Sequence, residues 1–250
     1  MYHWRRRFRR IGIGVTVAVA GLALGTVVAT GPAYVAGLAL VFAGLWYGQS
    51  ALKRLLVPAP WQSERWPYVP LRHALDLDGA DRWLDVGCGT GRSLVALAGD
   101  DVGSDAEPVN DTRVTALDTF DARIILGNGA RYARRNAATV GLNAAAVAGD
   151  ATRLPVRSGS QDVVTACLLL HDLPRPDAVA SLREARRVLA DGGQIGLLEP
   201  HVTHERTDDV IGYWEAVLAD EGFEVIASGE VSRGGSWYCY LVGSPSASAE

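Results

Sequence analysis

From Ile11 to Leu52 the sequence contains no aspartate, glutamate, lysine or arginine. A helix facing water keeps a charged face, so this stretch is not a solvated surface element. Gly31-Pro32 divides it into Ile11–Thr30 and Ala33–Leu52, 20 residues each. A helix of that length matches the roughly 30 Å hydrocarbon core of a bilayer. A signal peptide has a shorter apolar core and no second block directly behind it. A buried hairpin would show a polar face, and neither block has one. The expectation is a transmembrane helical hairpin, residues 11–52, turning tightly at Gly31-Pro32. Gly21-x-x-x-Gly25 and Gly44-x-x-x-Gly48 permit close backbone approach, either within the hairpin or in a homodimer.

Acids are missing from the whole of residues 1–54, which hold Arg5, Arg6, Arg7, Arg9, Arg10, Lys53 and Arg54. The chain carries −4 in total, so residues 55–250 carry −11. Both basic clusters flank the hairpin on one side. The positive-inside rule then puts the basic N-terminus (1–10) and the main domain in the cytoplasm, with two spans in the cell membrane. So acidic a main domain argues against nucleic acid as a partner, since a phosphate backbone wants a basic face. Cysteine is scarce: Cys88, Cys167 and Cys239, with no CxxC. That argues against a disulfide framework or a zinc site. His201-x-x-His204-Glu205 has ligand-like spacing, but no second cluster completes it, and it reads as a solvated loop.

What is present after the hairpin begins with a proline-rich stretch holding Trp61, Trp66 and Tyr68. Prolines prevent regular structure there. The aromatics suit a membrane–water interface, so 53–70 reads as an interfacial linker, with a short helix at Leu71–Leu77. The competing reading is that these aromatics pack on the domain. From residue 82 short apolar runs alternate with helical stretches. Strands are expected at Arg82–Val86, Val114–Asp118, Ala144–Ala148, Asp162–Leu169, Gln194–Leu198, Glu224–Ser228 and Trp237–Val242. Helices are expected at Ser93–Ala98, Ala122–Thr139, Pro176–Leu189 and Asp208–Glu221. This order implies an α/β fold: a doubly wound, mostly parallel seven-stranded sheet. Only "GEVSRGGS" separates the last two strands, so the final one should be antiparallel. Residues 99–112 form an acidic insertion, read as a solvated loop, and 244–250 read as a disordered tail.

A glycine loop, "WLDVGCGTG" at 83–91, joins the first strand to its helix, the ligand seat of a doubly wound sheet. A nucleotide, a dinucleotide or another adenosine compound would fit that much. There is no GxxxxGK[ST] for a phosphate. The dinucleotide fingerprint fails because Arg92 stands at the third glycine position. Lys53 is the one lysine, so no Tyr-x-x-x-Lys pair exists for a short-chain dehydrogenase. A ligand with a ribose and a cationic amino group, but no phosphate, calls for acids at the strand ends. Asp85, Asp118 and Asp150 stand there in order.

These features resemble the class I S-adenosylmethionine-dependent methyltransferases. The sequence is most similar to the broad small-molecule group that includes the ubiquinone and menaquinone C-methyltransferases (methyltransferase type 11). The resemblance covers about residues 70–243 and rests on "WLDVGCGTG", "VTALD", "GDATRLPVRSGSQDVV", "LLLHDLP", "REARRVLADGGQIGLLEP" and "EGFEV". It implies a Rossmann-like methyltransferase fold, here residues 71–243, with S-adenosyl-L-methionine as cofactor and S-adenosyl-L-homocysteine as product. By the family pattern Gly87, Gly89 and Gly91, with Cys88, line the methionine part. Asp118 and Thr119 hold the ribose, Asp150 and Ala151 face adenine, and Asp85 organises the loop near the amino group. The first helix is shorter than the family's and runs into the acidic insertion.

Methyl transfer needs alignment, plus a base only when the nucleophile must lose a proton. His171, past the fourth strand, is the catalytic candidate; Glu199 is a weaker one. The Asn-Pro-Pro-Tyr signature of amino methylation is absent, with "LHDL" in its place. The expected acceptor is a small, membrane-resident molecule such as a quinone or a phospholipid headgroup. The alternatives are a soluble metabolite, a membrane protein, or a sensor or scaffold that binds the cofactor without transfer.

Overall fold

The computed structural model describes residues 3–56, 65–98, 112–121 and 128–246. The chain divides into two compact units, an N-terminal pair of helices and an α/β unit beyond residue 60.

The first unit consists of α1 (His3–Val28) and α2 (Gly31–Leu56), 26 residues each. Within them Phe8–Val28 and Gly31–Gln49 are long and apolar enough to cross a membrane. The turn lies two residues earlier than expected. Ala29 takes the left-handed region (φ 48°) and ends α1. Gly31-Pro32 opens α2 instead, because a proline in the first helical turn has no N–H bond to lose. Lys53 and Arg54 close α2 and do not begin a linker. The glycines bring the two helix backbones together. A Cβ on Gly14 would stand 2.6 Å from the Gly44 carbonyl oxygen, and one on Gly21 would stand 2.5 Å from that of Gly37. The small-residue stripe is thus used inside the hairpin, the first of its two readings. Large apolar side chains such as Val27, Val35, Phe42 and Trp46 remain exposed.

The second unit opens with a 3₁₀ turn at Trp66–Tyr68 and α3 (Val69–Ala74). Here Trp66 and Tyr68 pack on the α/β unit, the second of the two readings. Tyr68 is buried, and Trp66 meets the Tyr238 ring edge-on at 5.6 Å. Trp61 lies outside the described residues. The elements that follow are β1 (Arg82–Val86), α4 (Arg92–Ala98), β2 (Arg113–Asp118), α5 (Ala130–Ala138), β3 (Ala144–Ala148) and β4 (Gln161–Cys167). After them come α6 (Arg175–Val188), β5 (Leu189–Pro200), α7 (Val210–Asp220), β6 (Phe223–Arg233) and β7 (Ser236–Pro245). The sheet order is β3-β2-β1-β4-β5-β7-β6, with β7 antiparallel to both neighbours, as expected.

Side chains alternate across the sheet with the strand period of two. Trp83, Val114, Val163 and Cys167 face one way, into a core shared with α3, α4 and α5. Leu84, Val86, Val164 and Ala166 face the other, against α6 and α7. Both faces are covered, so β4 is buried without interruption from Val163 to Cys167.

Several boundaries moved for physical reasons. β4 stops at Cys167 because Leu168 adopts φ 58°. β5 starts at Leu189, earlier than Gln194, because a bulge sits between its pairings to Gln161 and Val163. β6 and β7 zip up to Gly234-Gly235, whose positive φ values suit a tight hairpin. The tail's first residues belong to β7, and the Ser246 N–H reaches the Gly222 carbonyl at 2.9 Å. The insertion at 99–111, the front of the helix expected from Ala122, and residues 247–250 lie outside the described residues.

Candidate functional site

Parallel pairing of β2, β1, β4 and β5 brings their carboxyl ends to one edge. The glycine loop leaves β1 there, and the Gly87 and Cys88 N–H groups donate to the Leu117 carbonyl at 2.8 and 3.0 Å. Gly87 has φ 73°, and a Cβ there would collide with Leu169 at 2.8 Å. Glycine is therefore required twice at this position, for the left-handed turn and for the close pass of the next loop. Gly89 and Gly91 also have positive φ, and a Cβ on Gly91 would stand 3.0 Å from the Ala133 carbonyl. Cys88 is buried, and burial pushes its thiol far up, which makes it an inert packing residue.

Asp118 ends β2 and closes onto the loop. Its Oδ2 accepts the Gly89 N–H at 2.9 Å. Its Oδ1 accepts the Phe120 N–H at 2.7 Å and the Asn128 side-chain amide at 2.9 Å, with the Thr119 hydroxyl at 3.4 Å. Asn128 Oδ1 is buried with no partner among the described residues. Asp150 follows β3 on the surface, where its Oδ1 accepts the Thr152 N–H and hydroxyl, both at 2.8 Å. Ala151 beside it is half-buried. Asp118 and the glycines thus meet in one place; Asp150 stands at the next strand end along the same edge.

Asp85 is wholly buried. It accepts the Ser93 hydroxyl from α4 and the Thr165 hydroxyl from β4, the latter at 2.7 Å. Thr165 in turn accepts the Trp83 indole N–H at 2.8 Å. Burial raises the carboxyl to about 7, against the two hydroxyl bonds that lower it, with Asp118 adding to the rise. The carboxylate is turned to these hydroxyls and is not exposed in the loop.

Leu168, in its left-handed conformation, turns the chain after β4 into a 3₁₀ turn at Leu170–Asp172. Glu199, at the end of β5 and fully buried, seats that turn. Its Oε1 accepts the Leu169 and Leu170 N–H groups at 3.1 and 2.8 Å. Its Oε2 lies 2.5 Å from His171 Nδ1 and 3.4 Å from the His171 N–H. Burial works against a charged imidazole at His171. The bond and the charge of Glu199, helped by Asp172, outweigh it and raise the pKa above the ordinary 6.5.

The expected solvated loop at 201–205 corrects in part. His201 is exposed and meets Glu230 at 2.8 Å. His204 is half-buried, with Nε2 at 3.1 and 2.9 Å from the Leu170 and Leu173 carbonyls. Its Nδ1 meets the Tyr213 hydroxyl at 2.8 Å. It therefore braces the His171 turn through that turn's backbone carbonyls. Among the described residues no cluster of three or more metal-binding side chains occurs. Sequence reasoning missed Ser93, Thr165, Asn128 and His204. Only His204 carried a signal, in its HxxHE spacing.

A family model described as "Methyltransferase domain" matches residues 84–193. The chain is 32% identical over 123 residues to a 27-O-demethylrifamycin SV methyltransferase of Amycolatopsis mediterranei, covering 49% of this chain and 40% of that one. It is 34% identical over 128 residues to a demethylmenaquinone methyltransferase of Mycolicibacterium vanbaalenii, covering 51% of this chain and 46% of that one. It thus spans less than half the length of these curated relatives. Among solved structures it resembles the 1,6-didemethyltoxoflavin-N1-methyltransferase of Burkholderia thailandensis at a TM-score of 0.57 and 17% identity, covering 75% of this chain and 82% of that one. That likeness concerns the fold.

Proposed function

We propose that the α/β unit is a class I S-adenosylmethionine-dependent methyltransferase and that the chain as a whole is a membrane-anchored methyltransferase for a small, lipid-soluble acceptor. The observation that carries the reading is the closure of Asp118 onto the Gly89 N–H. It puts a carboxylate and a bare glycine backbone at one strand end, with no lysine and no phosphate motif beside them.

The donor set fits the cofactor. A carboxylate offers about four acceptor positions, and part of Asp118's capacity is already used within the chain. The buried Asn128 Oδ1 is a further acceptor beside it. Together they suit the two donating hydroxyls of a ribose. Asp118, Thr119 and Asn128 would hold that sugar, Asp150 and Ala151 the adenine edge, and Gly87, Cys88, Gly89 and Gly91 the methionine part. Asp85, buried and held by the Ser93 and Thr165 hydroxyls, would organise the loop near the cationic amino group. When bound, S-adenosylmethionine supplies a methyl group on a positively charged sulfur and leaves as S-adenosylhomocysteine.

The chain's own work is alignment and the handling of one proton. His171, on a turn fixed by Glu199 and His204, is the group placed to take it. The two curated relatives are named for demethylmenaquinone and demethylrifamycin, which supports a small organic acceptor. The two apolar helices support an acceptor in the membrane. Anchoring confines enzyme and lipid to two dimensions and raises their effective concentration. An isoprenoid quinone and a phospholipid headgroup are the leading acceptors. Basic clusters at the outer ends of both helices support a cytoplasmic N-terminus and catalytic unit.

The test is methylation of lipid extracts by the full-length chain in vesicles. Transfer to organic-soluble material supports the reading. Transfer only to a water-soluble compound or to protein would refute the membrane acceptor, and cofactor binding without turnover would refute the enzyme.

A further inference from the structure

We infer that Glu199 is a positioning residue that fixes His171 with its proton on Nδ1 and its lone pair on Nε2, and that the methyl acceptor is a hydroxyl on an aromatic or enolic ring. The second half rests on the methyl-transfer reading and narrows it. The first half rests on geometry alone.

Glu199 is fully buried and ends β5, yet among the described residues it pairs with no arginine or lysine. Its carboxylate is satisfied by the N–H groups of Leu169, Leu170 and His171 and by the His171 ring. An ionised carboxylate only accepts, so the ring nitrogen 2.5 Å away must be the donor. The proton therefore sits on Nδ1, and Nε2 faces outward with a lone pair. Asp172 Oδ1 stands 3.7 Å from Nε2. His204 braces the turn through the Leu170 and Leu173 carbonyls and is itself held by the Tyr213 hydroxyl. The side chain of His171 is 19% exposed, enough for Nε2 to meet a bound molecule.

A buried acid that sets a tautomer as well as seating the turn serves a site where a proton must be removed. An aminophospholipid is an ammonium ion at neutral pH, but it can shed its proton to water and bind as the neutral amine, whose lone pair attacks without a base; a phenol that shed its proton to water would be an anion, costly to desolvate, so it binds neutral and loses the proton in the site. An aliphatic hydroxyl is far too weak an acid for an imidazole. A phenolic hydroxyl, with an ordinary pKa near ~10, is un-ionised at neutral pH yet within reach of a strengthened imidazole. The step balances as follows: the acceptor O–H gives its proton to Nε2, and the electron pair left on oxygen forms the new O–CH₃ bond. The old C–S pair returns to sulfur, leaving a neutral thioether and an imidazolium. Of the two acceptors named above, this favours the reduced quinone over an aminophospholipid.

The deciding variant is Glu199→Gln. The glutamine oxygen can still accept the Leu169 and Leu170 N–H groups, but its amide then faces Nδ1 and forces the proton onto Nε2. Long-range ¹H–¹⁵N spectra of the full-length protein in detergent read the tautomer directly, and titration of S-adenosylhomocysteine by calorimetry reports an intact fold. In the wild type the spectra should show Nδ1–H and an imidazole titrating above 6.5. The variant should show Nε2–H, with cofactor affinity unchanged.

Activity is read in vesicles carrying either a long-chain alkyl hydroquinone or phosphatidylethanolamine. The hydroquinone should be methylated, with a rate that rises with pH through the His171 transition. Glu199→Gln should lower that rate by about 10²- to 10⁴-fold, as loss of an oriented base does. In a His171→Ala background it should lower it no further. Wild-type Nε2–H, methylation of phosphatidylethanolamine instead, or an additive double variant would each overturn the inference. If neither lipid is methylated while the Nδ1–H tautomer is found, the acceptor assignment falls and the positioning role stands.

Discussion

Asp85 should be a destabilising residue, and its cost can be worked out. Its carboxyl is wholly buried, and its hydrogen bonds are to the Ser93 and Thr165 hydroxyls. Burial raises it from 3.8 to about 7. A tenfold change in acid strength is worth about 1.4 kcal/mol, so the ionised form burdens the folded chain by on the order of 4 kcal/mol. Against a typical total of roughly 5–15 kcal/mol this is large. The sign follows from proton counts. Between 3.8 and about 7 the folded chain holds a proton that the unfolded chain has lost, so stability falls as pH rises through that window. Lowering the pH from 8 to 5.5 should return roughly 2 kcal/mol, about 4–8 °C in melting temperature for a domain of this size. The raised His171 slopes the same way, since its contribution is present below 6.5 and is lost as pH passes its folded value. The comparison that isolates Asp85 is Asp85→Asn, whose amide keeps both hydroxyl contacts without charge. Thermal scans of the full chain in detergent, followed by tryptophan fluorescence, should show Asp85→Asn melting higher than the parent at pH 8, with about half of the difference gone at pH 5.5. The same variant should bind cofactor more weakly. A parallel pH dependence in both proteins, or a lower melting point for Asp85→Asn at pH 8, would refute the reasoning.

Asp118→Asn should weaken S-adenosylhomocysteine about 10- to 100-fold in calorimetry, the worth of charge-assisted hydrogen bonds, without lowering the melting temperature by more than a few degrees. Equal affinity would remove Asp118 from the ribose site. Gly21→Leu should force the two helices apart, because even a Cβ at that position stands 2.5 Å from the Gly37 carbonyl. Spin labels on Arg10→Cys and Gln49→Cys should then separate in pulsed EPR, the described native cysteines being buried; an unchanged distance would contradict the packing. His204→Phe keeps the ring against Trp214 but loses the bonds to the Leu170 and Leu173 carbonyls. Faster amide exchange at 170–173, with a fall in turnover but not in cofactor affinity, is the expected result.

Elements whose signal is local were legible in the sequence. The uncharged run from Ile11 announces two long helices, and the alternation after residue 82 gives all seven strands and the antiparallel return. The acids of the candidate site were legible for the same reason, since each stands at or just past the end of a strand. The partners of those acids were not. Glu199 reaches His171 across 28 residues, and Asp85 reaches Thr165 across 80. Such pairings arise only when the sheet order sets β4 between β1 and β5. The left-handed turn at Leu168 carries no glycine or asparagine to mark it, so β4 read as two residues too long. The aromatics at 66 and 68 were ambiguous because an amphipathic ring suits a lipid interface and a domain core equally.

The most direct test of the central claim is a partition experiment. Full-length protein in native membranes is incubated with methyl-labelled S-adenosylmethionine, and the label is divided among organic phase, water and protein pellet. A membrane-anchored methyltransferase should put label in the organic phase, and Asp118→Asn should lose it. Label confined to water or protein, or no transfer by a protein that demonstrably binds the cofactor, would contradict that claim.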